Sequence, residues 1–288
     1  MITSTANAQV KNLVQLKKKS KERRRQQVYV VEGIRMFAEA PADRIEKIYV
    51  SASFAADSAH AELLREKTAS PDSDGVRAEL LRGRRVEVLA ESVFDYVSDT
   101  KTPQGILCLI RMAEHAQEEL FRSENGAWLV LENIQDPGNL GTMFRTGEGA
   151  GISGVIMDAC TADIYNPKTI RSTMGSIYRV PFLITDDLPE TLRRMKYGGI
   201  TVCAAHPEGS VCYDEPDYTK RTAFLIGNEG NGLTRETASI ADMNIRIPMQ
   251  GQLESLNVAM AAGLLMYEAD RQRRRGKSGS TSLGTAEK

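Results

Sequence analysis

The stretch Trp128–Gly151, W-L-V-L-E-N-I-Q-D-P-G-N-L-G-T-M-F-R-T-G-E-G-A-G, decides the fold class of this chain. Its first four residues form an uninterrupted apolar run, which is typical of strands buried on both faces of a parallel sheet. The D-P-G-N sequence at Asp136–Asn139 predicts a turn, and Asn139 is a natural N-cap for a following helix that carries Arg145. A strand, a turn and a helix in this order place Asn139 at the carboxyl edge of a sheet, where α/β proteins bind ligands.

Apolar runs of the same kind recur along the second half of the chain, and helical patterns separate them. The runs lie at Gly154–Met157, Ile200–Ala204, Phe224–Gly227 and, more weakly, Asn244–Ile247. Strands that alternate with helices predict parallel βαβ units. We therefore predict an α/β domain with a parallel sheet over residues 127–275.

A glycine-rich turn follows one of these buried strands. Phe224–Leu233 reads F-L-I-G-N-E-G-N-G-L, with three glycines within six residues. Glycines let a backbone approach a ligand closely, and Glu229 at the end of a buried strand needs a partner or a role. The alternative interpretation is a tight turn before a helix, without a ligand.

A third polar loop lies within Ile245–Tyr267, I-R-I-P-M-Q-G-Q-L-E-S-L-N-V-A-M-A-A-G-L-L-M-Y. Pro248 is expected to end a strand, and Ser255 to N-cap an apolar helix that extends to about Arg275. Asn257 in the first turn either hydrogen-bonds a neighbouring loop or contacts a ligand. The alternative is a structural asparagine in a buried helix.

The first third of the chain predicts a second, smaller α/β domain over residues 1–110. Its strand patterns lie at Val28–Val31, Ile45–Val50, Val86–Leu89 and Gly105–Ile110. Residues 111–126 are polar and lose the strand pattern, so we expect a linker there. Residues 276–288 are rich in Gly, Ser and Thr and are expected to form a disordered tail.

Charge is distributed unevenly along the chain, although the formal net charge of the 288 residues is only −1. Residues 1–25 contain eight basic side chains and one acidic side chain, whereas the remainder contains 29 basic and 37 acidic ones. We call Lys11–Arg25 the basic arm. A basic arm on an acidic body predicts a polyanionic partner such as nucleic acid, and the alternative is a solvated helix face.

Composition excludes several classes of protein. With 41% hydrophobic and 26% charged residues, the chain can form a globular core and is not disordered. The longest strongly apolar stretch, Ser255–Tyr267, is too short to span a bilayer. The four cysteines form no C-x-x-C pair and the three histidines are isolated, so neither a disulfide framework nor a metal site is expected. No secretory signal is visible, which indicates a cytoplasmic protein. The glycines at Gly147–Gly151 lack the G-x-G-x-x-G spacing of Rossmann-type nucleotide-binding enzymes, which disfavours that class.

In their order and spacing, the three segments resemble the signature motifs of the SpoU/TrmH family of RNA ribose 2′-O-methyltransferases, within the SPOUT superfamily. The resemblance covers Trp128–Ala269 and includes N-P-K at Asn166–Lys168 and R-S-T-M-G-S at Arg171–Ser176. V-E-G-I-R-M-F-A-E-A at Val31–Ala40 looks like the ribosomal-protein-like substrate-binding domain of that family. One departure is Gly147-Glu148-Gly149-Ala150, where relatives more often carry alanine and a bulkier apolar residue.

The resemblance implies a trefoil-knotted C-terminal domain, an obligate homodimer and S-adenosylmethionine as methyl donor, with no metal and no membrane. It implies catalytic positions at Asn139, Arg145, Glu229, Ser255 and Asn257. The cofactor positions that it implies are Gly227, Asn228, Gly230, Ile247, Met249, Leu256 and Asn257. The RNA contacts that we predict are Lys17, Lys18, Lys19, Arg23 and Arg24 in the basic arm, and Arg171.

The expected reaction is attack of a ribose 2′-hydroxyl on a sulfonium methyl group, and the expected substrate is ribosomal RNA. Because guanidinium keeps its proton at neutral pH, Arg145 is better suited to stabilise the developing alkoxide or to hold the adjacent phosphate than to act as a base. Glu229 is a candidate proton acceptor or positioning group. The alternatives are the same chemistry on transfer RNA and a non-catalytic RNA-binding factor.

Overall fold

In the computed structural model, which describes residues 1–68, 86–113 and 115–280, the chain forms two structural units. The first unit contains Met1–Glu114 together with a later segment, Asp163–Tyr178. The second unit contains His115–Ala162 and Arg179–Lys288. Each unit is organised around its own β-sheet.

The first unit contains a mixed four-stranded sheet in the order β1-β4-β2-β3. Its strands are β1 (Val28–Glu32), β2 (Ile45–Ser51), β3 (Val86–Leu89) and β4 (Ile106–Arg111). β4 pairs antiparallel with β1 and β2, whereas β2 and β3 are parallel. All four strands were predicted from the apolar patterns of the sequence.

Helices of the first unit connect and flank these strands. They are α1 (Ala8–Lys18), α2 (Ser20–Gln26), α3 (Ile34–Glu39), α4 (Ala52–Ala56), α5 (Ser58–Thr68) and α6 (Glu91–Val97). Asn7 caps α1 by accepting a hydrogen bond from the Gln9 amide. The apolar stripe of α1, Val10, Leu13 and Leu16, is completely buried in the core of the unit.

The second unit contains a seven-stranded sheet in the order β7-β6-β5-β10-β8-β11-β9. Its strands are β5 (Ala127–Leu131), β6 (Gly154–Asp158), β7 (Phe182–Thr185), β8 (Thr201–Ala205), β9 (Val211–Cys212), β10 (Thr222–Ile226) and β11 (Met243–Arg246). Every neighbouring pair is parallel, which confirms the predicted α/β architecture. All residues of β5 and β10 are buried, as the uninterrupted apolar runs predict.

The remaining helices follow in chain order. They are α7 (Gln117–Leu120), α8 (Pro137–Gly149), α9 (Pro167–Thr173, in the first unit), α10 (Leu188–Tyr197), α11 (Arg235–Ile240) and α12 (Val258–Ser280). α12 packs against α8, and both helices border the strand ends that carry the candidate site. Among the helices that the structure describes, none has both the length and the apolarity that a bilayer span requires.

Both predicted helix caps were wrong in position. α8 begins at Pro137 with Asp136 as its N-cap residue, because proline is favoured at the first helical position, so Asn139 lies inside the first turn. α12 begins at Val258, and the Asn257 side chain accepts hydrogen bonds from the Ala259 and Met260 amides. Asn257, rather than Ser255, therefore caps this helix.

Two strands of the second unit were not predicted from the sequence. β7 carries a half-buried pattern and β9 has only two residues, so neither produces the long apolar run of the central strands. Within the predicted linker 111–126, the structure contains α7. α12 extends to Ser280, and residues 281–288 of the predicted tail lie outside the described residues.

Candidate active site and RNA-binding surface

The candidate active site lies at the carboxyl edge of the parallel sheet, where β5, β10 and β11 end. β5 and β10 are direct neighbours, and β8 lies between β10 and β11. With strands about 4.8 Å apart, the loops after β10 and β11 begin about 10 Å from each other. The three polar segments of the sequence therefore begin at one edge because the strands before them are parallel.

Asn139 and Glu229 join the first two segments. The Glu229 carboxylate accepts hydrogen bonds from Asn139 Nδ2 at 3.1 Å, from the Gln135 amide at 3.1 Å and from the Asp136 amide at 3.2 Å. The glycine-rich turn after β10 is thereby fixed to the turn after β5. Asn139 uses its side chain to bind another loop instead of capping its own helix.

Hydrogen bonding also sets the charge of Glu229. Partial burial raises the pKa of this carboxyl, but the hydrogen bonds from Asn139 and from backbone amides outweigh burial and hold the pKa below its ordinary value of 4.5. Glu229 is therefore a carboxylate at neutral pH, and its oxygens already accept three hydrogen bonds. This arrangement makes it a weak proton acceptor and a good positioning group.

The third segment reaches the same point through Asn257. Its Nδ2 donates to Asn139 Oδ1 at 3.3 Å, while its own Oδ1 caps α12. Asn139 thus links Glu229 from the second segment with Asn257 from the third. Three of the five predicted catalytic residues form one chain of hydrogen bonds.

Glu132 is a further carboxylate at this edge, and sequence reasoning did not single it out. It is 7% exposed and accepts hydrogen bonds from the Thr234 amide at 2.9 Å and from the Thr234 and Thr237 hydroxyls at 2.8 Å each. Glu132 follows β5 and binds the segment after β10, whereas Glu229 follows β10 and binds the segment after β5. A glutamate directly after a fully apolar strand was the available signal.

The glycine-rich turn itself is tight. Asn228 Oδ1 accepts from the Gly230 and Asn231 amides at 2.9 and 3.0 Å, and Asn228 Nδ2 donates to the Asn133 carbonyl at 2.7 Å. A Cβ atom at Gly227 would come within 2.3 Å of the Gly232 carbonyl carbon, so only glycine fits there. The turn holds its shape through its own hydrogen bonds.

The other predicted cofactor positions lie on the neighbouring loop after β11. Ile247, Met249 and Leu256 are half-buried, and Ser255 is exposed. Ser255 has no hydrogen bond to Asn139, Glu229 or Asn257 among the described residues. Gly230 is exposed on the facing turn. These loops combine apolar side chains with backbone polar groups, a combination that is typical of sites for nucleoside-containing ligands.

Arg145 lies outside this hydrogen-bonded cluster. It is exposed on α8, six residues and about 9 Å along the helix from Asn139. Within the described ranges its guanidinium has no hydrogen bond or ion pair. The structure thus leaves Arg145 available to an incoming group.

The glycines after Arg145, where the sequence departs from the family pattern, lie close to neighbouring side chains. A Cβ atom at Gly147 would come within 2.5 Å of Ile152 Cδ1, and one at Gly149 within 2.9 Å of the Tyr267 hydroxyl. The small residues therefore let α8 approach its neighbours closely. Both contacts are with the ends of side chains, and each glycine keeps its low helix propensity, about 1 kcal/mol for each residue.

In the basic arm, two predicted RNA contacts are corrected by the structure. Lys17 is 7% exposed, and its Nζ lies 3.0 Å from Glu32 Oε2, 3.0 Å from Asp99 Oδ2 and 2.6 Å from the Val97 carbonyl. Arg23 is 3% exposed and forms an ion pair with Asp163. Both charges are used inside the first unit, so neither side chain faces solvent.

The other predicted RNA contacts are accessible to solvent. Lys18, Lys19 and Arg24 are exposed, and Arg171 on α9 is partly exposed. No group of three or more His, Cys, Asp or Glu side chains that could hold a metal ion occurs among the described residues.

Fold and site together are those of an α/β protein whose polar loops meet at the carboxyl edge of a parallel sheet, the edge at which such folds bind ligands. Residues 126–267 match the SpoU rRNA Methylase family, and residues 7–108 match the MRM3-like substrate binding domain. The chain therefore belongs to the SpoU/TrmH family of RNA 2′-O-methyltransferases, with an N-terminal substrate-binding domain, which confirms the resemblance seen in the motifs.

Individual relatives agree with this assignment. The 23S rRNA (guanosine(2553)-2′-O)-methyltransferase RlmP of Bacillus subtilis is 32% identical over 92% of this chain and 97% of its own length. The 23S rRNA (uridine(2479)-2′-O)-methyltransferase of Streptomyces viridochromogenes is 29% identical over 70% of this chain and 74% of its own length. The AdoMet-bound rRNA methyltransferase from Sinorhizobium meliloti aligns with a TM-score of 0.79 at 30% identity, over 94% of this chain and 97% of the other.

Proposed function

We propose that this protein transfers a methyl group from S-adenosylmethionine to a ribose 2′-hydroxyl of ribosomal RNA in the cytoplasm. The observation that carries the proposal is the convergence of three family motifs on Asn139, which binds Glu229 and Asn257. The names of the Bacillus and Streptomyces relatives support ribosomal RNA as the substrate class. In this proposal residues 1–110 bind RNA, 111–126 link the domains and 127–275 carry out methyl transfer.

The loops after β10 and β11 would hold the cofactor. S-adenosylmethionine supplies an electrophilic methyl group on a sulfonium ion. Backbone groups near Gly227, Asn228 and Gly230 would bind its polar edges, and Ile247, Met249 and Leu256 would pack on its apolar parts. The AdoMet-bound structure of the Sinorhizobium relative supports S-adenosylmethionine as the cofactor.

Arg145 and Glu229 have different roles in the proposed reaction. The 2′-hydroxyl becomes more negative as it attacks, and the exposed Arg145 guanidinium would stabilise that charge or hold the adjacent phosphate. Glu229, with its lowered pKa and three hydrogen bonds, would hold Asn139 and the turn after β5 in place. Asn139 and Asn257 would fix the loops around the ribose, and Ser255 would contact the ligand from the exposed loop.

We also propose that the enzyme is a homodimer and that its C-terminal domain contains a trefoil knot. Support for the dimer comes from α12, where Met260, Leu264 and Tyr267 are 62%, 39% and 47% exposed. Their spacing puts them on one helix face, which is an unusual apolar stripe for a monomer. Light scattering at low micromolar concentration should give about 63 kDa for a dimer of 31.7 kDa chains. A species of half that mass would contradict the dimer.

The decisive experiment is methylation of RNA by the purified protein with labelled S-adenosylmethionine. Ribosomal RNA, transfer RNA and an unstructured RNA are compared, and the modified position is mapped by resistance to alkaline hydrolysis. Methylation at one ribose of ribosomal RNA supports the proposal. Methylation of transfer RNA only would show that transfer RNA, not ribosomal RNA, is the substrate. RNA binding without methylation would indicate a non-catalytic factor.

A further inference from the structure

The segment Asp163–Tyr178 belongs to a different structural unit from the residues on either side of it in the sequence. It lies inside the part of the chain that matches the SpoU methylase family, residues 126–267, yet it belongs to the first structural unit. The Tyr165 ring lies 4.7 Å from the Tyr29 ring, and the Tyr178 hydroxyl donates to the Met36 carbonyl at 3.1 Å. The unit that carries the basic arm therefore includes α9.

One partly buried ion pair connects this segment to the basic arm. The Arg23 guanidinium donates through Nη1 to the Leu16 carbonyl at 2.6 Å and to the Lys17 carbonyl at 3.2 Å, and through Nη2 to Asp163 Oδ2. The other oxygen of Asp163 accepts from the Tyr165 amide at 2.9 Å. Arg23 thus ties the end of α1 to the start of the segment.

Asp163 also fixes the beginning of α9. Its carbonyl accepts from Thr169 Oγ1 at 3.1 Å, and Asn166 caps the helix through the Lys168 amide at 2.9 Å. α9 contacts β1, the strand that directly follows α2, and α2 contacts β1 as well. Helix α9, with the partly exposed Arg171, is therefore held beside the basic arm.

Neighbouring arginines of the arm have opposite environments. Arg23 is 3% exposed, whereas Arg24 is exposed and has no ion pair among the described residues. The Arg171 side chain likewise has no ion pair within the described ranges. Guanidinium groups that are accessible and unpaired are suited to RNA phosphates.

We propose that the basic arm and α9 form one phosphate-binding surface for the substrate RNA, and that Arg23 is the positioning residue that holds Arg171 in it through Asp163. This inference rests on the proposed function, since it assumes an RNA substrate. Arg23 itself does not touch the RNA. It acts on RNA binding only through the placement of α9.

The test is a double-mutant cycle with Arg23→Met, Arg171→Met and both changes together, and with Arg24→Met as the matched neighbouring variant. RNA affinity is measured between roughly 50 and 200 mM salt, because phosphate contacts make the affinity fall steeply over this range. Arg171→Met and Arg24→Met should each lower the salt slope by about 0.7, one contact to a single strand. Arg23→Met should lower it as much as Arg171→Met does, and the double variant Arg23→Met/Arg171→Met should be no weaker than either single variant.

A second variant keeps the test valid if Arg23→Met does not fold. Asp163→Asn has the same size and keeps an oxygen for the Tyr165 amide, and it should lower the salt slope like Arg171→Met. Circular dichroism and S-adenosylmethionine affinity, both expected to match wild type, establish that the compared variants are folded.

Three outcomes separate the possible failures. The first outcome is a wild-type salt slope in folded Arg23→Met or Asp163→Asn, with only a lower melting temperature. It would show that the ion pair stabilises the fold without affecting RNA binding, and it would overturn the proposal. Additive losses from Arg23→Met and Arg171→Met would also overturn it, because they would mean independent contacts. Failure of the wild-type protein to bind or methylate any RNA would instead overturn the proposed function.

Discussion

In the basic arm, neighbouring side chains of the same charge occupy different environments, whereas at the sheet edge residues far apart in sequence share one environment. Lys17 is buried in an ion pair while Lys18 is exposed. Asn139, Glu229 and Asn257 are separated by up to 118 positions and are joined by hydrogen bonds. The comparison teaches that residue type predicts a role only after the geometry of the element is known.

In each region, the secondary structure explains where the side chains lie. Lys17 lies seven residues after Val10 and four after Leu13, so it falls on the apolar face of α1. Asn139 and Glu229 come together because parallel strands end at the same edge. The following four variants test this contrast.

The largest effect is expected from Lys17→Met, which leaves Glu32 buried without its ammonium partner. Loss of one partner of a buried pair costs about 3–5 kcal/mol of unfolding free energy. Urea denaturation followed by circular dichroism measures it, with Lys18→Met as the exposed control. Equal stabilities of the two variants would show that the buried and the exposed lysine of the arm do not differ in their contribution to stability.

The pH dependence of that loss has a defined sign. Burial raises the pKa of Glu32, but the Lys17 charge and hydroxyl hydrogen bonds outweigh burial and hold the pKa below its ordinary value. In wild type, Glu32 therefore contributes stability above its unfolded pKa, and the contribution is lost as pH falls through the folded pKa. Without Lys17 the carboxyl takes up its proton at higher pH, so the stability gap between wild type and Lys17→Met should narrow as pH falls from 7 towards 4.

Arg145→Ala should give the second largest effect, a fall in turnover of about a hundredfold or more, because one charged donor is lost from the transition state. S-adenosylmethionine affinity should be unchanged. Single-turnover methylation at saturating RNA measures the rate, with Arg193→Ala, an exposed arginine of α10, as the control. A wild-type rate for Arg145→Ala would show that the active-site assignment is wrong.

Glu229→Gln should lower turnover by about tenfold, since an amide cannot accept all three hydrogen bonds and places a donor against the backbone amides. The matched control is Glu236→Gln on the exposed side of α11. Because the pKa of Glu229 is lowered, the wild-type contact should be intact at pH 5 and lost only as pH falls below the ordinary range near 4.5. Cofactor affinity should therefore be equal at pH 5.5 and pH 7, a range in which Glu229 keeps its charge. A fall in turnover of more than about a thousandfold in Glu229→Gln would instead identify Glu229 as the proton acceptor.

The smallest effect is expected from joint neutralisation of Lys18 and Lys19 to glutamine. Each lost phosphate contact should flatten the salt dependence of RNA binding by up to about 0.7. Turnover at saturating RNA should stay at the wild-type value, because the arm provides binding rather than chemistry. If turnover falls at saturating RNA, the arm also orients the substrate.

Much of the architecture was predictable from local patterns. The apolar runs at β5, β6, β8 and β10 predicted the central parallel strands, because burial on both faces demands residues without polar groups. The edge strand β7 and the short β9 were missed, since strands at a sheet margin need no such run. Motif order and spacing led to the family. Three polar residues of those motifs, Asn139, Glu229 and Asn257, are joined by hydrogen bonds near the strand ends, and their catalytic roles stay predictions.

The sequence by itself determined the two α/β regions, the polar loops at the strand ends and the excess of positive charge in the arm. Only the tertiary structure decided which charges remain exposed, because burial of Lys17 and Arg23 depends on carboxylates 15 and 140 positions away. It also decided that Asn139 binds Glu229, that Asn257 caps α12, and that Glu132 and Glu229 each accept hydrogen bonds from the other's loop. Such pairings depend on strand order, and strand order is set by the packing of the whole sheet rather than by any local stretch of sequence.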